Sequence, residues 1–149
     1  MQAVALFPGP LAARGEELIV LYDGECGFCR VMLALLLSWD RGHRLDPATI
    51  QSPRGELLLV DMAREDRLES WHLIDGRGVR RSAGAGVPVV LGALPGGKPL
   101  ARLAARSPRA TASAYAWVAD HRTRLGRLLN ARTRAWAVRV IAERGRADS

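Results

Sequence analysis

The chain is predicted to be an α/β domain: a small central sheet flanked by helices, with added helices at its C-terminus. Three observations predict this. Short apolar runs alternate with stretches of helical spacing in the order strand, helix, strand, helix, hairpin, helices. The pattern from Ala110 to about Arg144 is helical throughout. The chain has 149 residues, 48% of them hydrophobic and 25% charged, which suits one domain with a core of its own.

Residues 1–16 contain Pro8-Gly9-Pro10 and no periodicity, and read as a flexible N-terminal arm. Residues 17–144 form the domain, and residues 145–149 read as a frayed tail. Glu17 to Asp23 is rich in Leu, Ile, Val and Tyr, as a buried strand is. Asp23-Gly24 ends it. Cys26 to Trp39 then reads as a helix, with Met32, Leu33, Leu36 and Leu37 at helical spacing and Asp40-Arg41-Gly42 closing it.

Arg44 to Gln51 is a weaker strand. Pro47 cannot donate to a ladder, so this strand is at an edge, bulged or short. Ser52-Pro53 caps a helix running to about Ala63. Leu68 to Ile74 is a strand with Trp71 and Leu73 on one face and His72 turned away from them. Asp75-Gly76-Arg77-Gly78 signals a hairpin, with Val79 to Ser82 returning. Gly84 to Leu94 and Pro99 to Arg106 read as short helices. In the C-terminal stretch Tyr115, Val118, Leu125, Leu128 and Leu129 share a stripe that Trp136 and Val140 continue, with a break near Asn130. This is the element order of a thioredoxin-like fold, in which a dithiol lies where the first strand feeds the first helix.

The only two cysteines, Cys26 and Cys29, sit at that junction. Two thiols this close can exchange a disulfide with a partner and then resolve it internally. A zinc site needs four ligands, and His43, His72 and His121 stand at spacings unlike a zinc finger. Haem attachment needs a histidine where Arg30 stands. A structural disulfide over so short a loop contributes little loop-closure entropy. No metal or other cofactor is expected. The N-terminus carries no convincing targeting signal, and Val31 to Leu37 is too short to span a bilayer, so the expectation is a cytoplasmic chain without a transmembrane segment.

Leu18 to Asp23, with Tyr22-Asp23-Gly24-Glu25-Cys26-Gly27-Phe28-Cys29 following from it, resembles the hallmark of the DCC family of thiol-disulfide oxidoreductases: an apolar strand, then Tyr-Asp-Gly-x-Cys-x-x-Cys, then a helix. Looser similarities are Leu45 to Pro53, Ser70 to Asp75 and Gly84-Ala85; together they span about residues 17–130. The resemblance implies a thioredoxin-like fold and thiol-disulfide exchange, without naming a substrate. Asp66 to Ser70, before the third strand, lacks the proline that thioredoxin-like enzymes usually carry there.

Cys26 at a helix N-terminus is the expected attacking thiol and Cys29 the resolving one. Asp23 has two readings, a proton shuttle for Cys29 or a turn residue at the junction. Gly27 suits close backbone approach, and Phe28 supplies apolar surface. The expected partners are a protein or small-molecule thiol or disulfide substrate and an external thiol reductant. The net charge of +7, nearly all arginine, leaves two other classes open. One is a redox-responsive protein-interaction module. The other is a basic module for anionic surfaces or nucleic acid, with Arg122 to Arg139 on phosphates. Sparse aromatics and the absence of a DNA-binding motif argue against nucleic acid.

Overall fold

The structure, a computed structural model, describes residues 2–3 and 17–147. Residues 4–16 of the expected arm lie outside the described residues. Gln2–Ala3 (β1) pairs antiparallel with Val79–Ser82 (β5). The sheet continues through His72–Ile74 (β4) and Leu18–Tyr22 (β2) to Leu45–Thr49 (β3), in the order β1-β5-β4-β2-β3. β2 and β3 are parallel, so Gly27–Trp39 (α1) forms the crossover between them. β4 and β5 form the antiparallel hairpin, and Asp75 Oδ1 accepts from the Arg77 and Val79 amides in its turn. The core is the thioredoxin-like arrangement expected from the element order.

Pro47 sits on β3, which among the described residues is an edge strand hydrogen-bonded only to β2. β2 is central, and all five of its residues are buried. Leu18, Val20 and Tyr22 face α1 and Val87–Ala93 (α4), packing on Leu33, Leu37 and Val90. Ile19 and Leu21 face the other way, onto Ile50, Leu58 and Leu59. Pro108–Arg127 (α6) and Ala131–Ala147 (α7) complete the helical layer, Ala137 of α7 meeting Val31 and Ala34 of α1. Asn130 caps α7, its Oδ1 accepting from Thr133 N at 2.8 Å.

Several elements differ from expectation. The helix begun at Ser52-Pro53 ends at Leu58 (α2), with Leu59 as its C-cap, its amide donating to Gly55 O. A separate turn, Arg64–Arg67 (α3), follows it. β4 starts only at His72, because the Trp71 amide donates to Tyr115 Oη at 3.0 Å. Ala83–Gly86 is a 3-10 turn ahead of α4, since Pro88 has no amide to donate to Gly84 O and Val87 N bonds it instead. Gly84 has no room for a side chain: a Cβ there would lie 2.7 Å from Ala112 Cα of α6. Leu128 leaves the apolar stripe and is 81% exposed. α7 runs to Ala147, so residues 145–147 of the expected tail are helical.

The C-terminal end of α1 is held by Asp40 and Arg144, both buried. Asp40 accepts the Arg44 and Leu45 amides at 3.0 and 2.9 Å. Arg144 of α7 donates to Asp40 Oδ2 at 2.6 Å and to the carbonyls of Leu45, Leu37 and Asp40. Removing one partner of a buried pair typically costs about 3–5 kcal/mol. Asp40→Ala is therefore expected to lower the unfolding free energy, measured by urea denaturation, by that order, and adding Arg144→Met to recover part of it. A loss below about 1 kcal/mol, the scale of a surface ion pair, would refute the assignment.

Candidate functional site

The site begins at the turn that joins β2 to α1. Asp23 Oδ1 accepts from the Glu25 amide at 3.0 Å and from Gln51 Nε2 at 2.7 Å. Gln51 Oε1 in turn accepts the Gly24 amide at 3.1 Å. Gln51 follows β3, so the turn is tied to the neighbouring strand. Gly24 is required there, since a Cβ would lie 2.8 Å from Thr49 Cγ2. Cys26 is then the N-cap of α1, and its Sγ accepts the Cys29 amide at 3.2 Å. A thiolate takes the place that a Ser or Asp oxygen usually fills. Gly27 meets no such crowding; a Cβ there would touch nothing nearer than Arg134 Cδ at 3.7 Å.

Both cysteines are half-buried thiols with no bond between them. Cys26 is drawn down from 9.0 to about 6. The chief cause is the Cys29 thiol, which donates its proton to Cys26 sulfur. Burial opposes this; the Cys29 amide and the charge of Arg122 assist it, and Asp23 opposes it weakly. Cys29 is pushed well up, above all by giving that hydrogen bond and next by burial. Near neutral pH the pair therefore holds one proton, on Cys29, and one charge, on Cys26.

Cys29 lies in the wall of a cavity of about 720 Å³ bounded by the sheet, α1, α4, Lys98–Arg106 (α5) and α6. Phe28 and Asp23 line it too. Where thioredoxin-like enzymes place a proline, Ser70 and Trp71 border the cavity. Trp71 stacks on Tyr115, with ring centroids 5.8 Å apart, and its indole donates to Ala83 O at 2.8 Å.

The residue that sequence reasoning did not place here is Arg122. It stands in the cavity wall, its Nη2 donating to Leu68 O at 2.9 Å, and its charge acts on both thiols. The helical spacing of α6 puts it two turns beyond Tyr115, a relation visible in the sequence only once α6 is known to cross the dithiol. Arg134 is exposed and donates to Leu129 O at the α6–α7 junction. His72 is buried on the far face of β4, its ring nitrogens on Ser82 Oγ and Arg67 O, and burial lowers its pKa. Among the described residues no group of three or more His, Cys, Asp or Glu is placed to hold a metal. Among them, too, no helix is long and apolar enough to cross a membrane.

A thioredoxin-like sheet with a Cys-x-x-Cys dithiol capping its first helix defines a class, the dithiol redox domains. The match is more particular than that. A family profile described as DCC1-like thiol-disulfide oxidoreductase fits residues 20–128, and the chain belongs to that family. No curated protein and no solved structure matches it significantly.

The proton sharing predicts a pH titration. Thiolate absorbance of the reduced protein should rise with a midpoint near 6, and alkylation of Cys26 should follow it. Cys29→Ala should raise that midpoint most, Arg122→Gln less, and Asp23→Asn should lower it. A wild-type midpoint near about 8.5, that of an ordinary thiol, would overturn this account. Because the folded-state pKa is depressed, the thiolate's contribution to stability is complete above about 9 and is lost as pH falls through about 6.

Proposed function

We propose that this chain reduces disulfides, with Cys26 attacking and Cys29 resolving. The observation that carries the reading is the hydrogen-bonded pair at the α1 N-terminus, where one sulfur is charged and the other holds the proton. Cys26 thiolate attacks one sulfur of the substrate disulfide; a mixed disulfide forms and the first thiolate leaves. Cys29 then loses its proton and attacks Cys26 Sγ. The Cys26–Cys29 bond closes, and the second substrate thiolate leaves and takes up a proton. Two electrons pass from the dithiol to the substrate. An external thiol returns the pair to its reduced state; in a reducing cytoplasm that state persists.

Asp23 has a double part in this reading. Oδ1 anchors the turn, and Asp23 shares the cavity wall with Cys29. Oδ2 is the group we assign to receive the Cys29 proton in the resolving step. A partner dithiol-to-disulfide assay tests both assignments. Cys26→Ser should abolish turnover, and Cys29→Ser should accumulate the mixed disulfide. Asp23→Asn keeps an oxygen for the turn; it should leave the first attack intact and slow resolution roughly 100-fold or more, in the range of general base effects. Full activity of Cys26→Ser would sink the reading, and an unchanged resolving rate in Asp23→Asn would remove the proton role.

A further inference from the structure

The cavity beside the dithiol is walled almost wholly by hydrocarbon. Met32 of α1 looks across it to Leu100 and Leu103 of α5 and Val118 of α6. Met32, Leu100 and Leu103 are 41%, 49% and 64% exposed, so the far end is an open apolar groove. Its volume of about 720 Å³ is that of a small-molecule site. The only charged groups in its wall are Asp23 and Arg122, and both act on the dithiol. Arg122 makes one hydrogen bond, to Leu68 O, and no carboxylate of the described residues pairs with it. The groove is thus apolar along its length, and at the sulfur end it offers one cation, Arg122, beside the Asp23 carboxylate.

We propose that this groove is the substrate site and takes a small disulfide with an alkyl or aryl body and an anionic group close to its sulfur. The charge complementarity is with Arg122, and the apolar body lies between α1 and α5. The proposal rests on the exchange reading above. Cys26 thiolate attacks the sulfur bearing the apolar body, and the other half leaves as a thiolate. Cys29 gives up its proton, attacks Cys26 Sγ, and the apolar thiol is released. The substrate gains the two electrons that the dithiol loses.

The test separates binding from exchange by using a probe with no disulfide, (octylthio)acetate, on the full chain by calorimetry. Binding should saturate at one site, and shortening the alkyl chain should weaken it about fourfold per methylene. Leu103→Asn, at an exposed position outside the core, should raise Kd at least tenfold. Arg122→Gln should do the same for the carboxylate probe but hardly alter binding of neutral 2-(octylthio)ethanol, and Arg122→Lys should restore most of the difference. No binding, no dependence on chain length, or a Kd that neither substitution moves would overturn the proposal. So would a concentration-dependent dimer whose formation excludes the probe, since a second copy would then be the occupant. If hydroxyethyl disulfide is turned over while the probe fails to bind, the groove proposal falls and the exchange reading stands. If the probe binds as expected while Cys26→Ser stays active, the reverse holds.

Discussion

The position of α1 depends on a charge pair buried under it. Arg144 and Asp40 are drawn from the two ends of the domain, and taking both out of water is costly unless every donor and acceptor is met. They are met here. The guanidinium gathers the carboxylate and three carbonyls, two of which end α1. Its positive charge also stands at the helix C-terminus, where the dipole favours it. Asp40 meanwhile caps the start of β3 through two amides. One pair thereby fixes α1 to β3 and to α7, and the dithiol at the other end of α1 inherits that alignment.

At the N-terminal end the electrostatics are a contest. Burial and Asp23 push Cys26 towards the neutral thiol; the Cys29 thiol and amide, with Arg122, pull it towards the thiolate. The hydrogen bonds win, and the largest single contribution comes from the partner thiol itself. This matters for the chemistry. A thiolate near pKa 6 is almost fully formed at neutral pH yet retains much of its nucleophilicity, which falls as the pKa falls. In the proposed exchange the resolving thiol, Cys29, stays protonated until the Cys26 sulfur is consumed in a mixed disulfide. Once that hydrogen bond is gone, the main cause holding the Cys29 proton is gone with it.

What the sequence disclosed was local. The apolar run into Asp23-Gly24, Cys26 at the helix start, Pro47 on an edge strand, the Asp75 hairpin and Asn130 at the break each have a cause within a few residues. What it hid was long-range. Arg144 sits in an arginine-rich stretch whose other members are mostly exposed, and its role depends on Asp40, 104 residues away. Arg122 looked like part of a solvated basic face. Its function follows from α6 lying across α1, which Gly84 permits by letting α6 approach the 3-10 turn closely. Helix limits failed where tertiary partners intervened, as with the Trp71 amide captured by Tyr115.

The same placement links the dithiol to its surroundings. In a thioredoxin-like frame the region opposite the dithiol is where a substrate docks, and here Trp71, Tyr115 and α5 border it in place of a proline. Tyr115 Oη accepts the Trp71 amide and is itself buried enough to be pushed up to about 12, so it stays a neutral hydroxyl. The wall is therefore apolar and uncharged except at the sulfur end. Water expelled by an apolar occupant would strengthen the attraction between Arg122 and the charged sulfur, because screening weakens as the local dielectric falls. A substrate whose body, away from the sulfur, is charged or strongly hydrated would gain nothing from the apolar stretch of that wall and would bury polar groups without partners. In the proposed exchange this wall would sort disulfides by the group attached to sulfur, while the dithiol sets how fast they react.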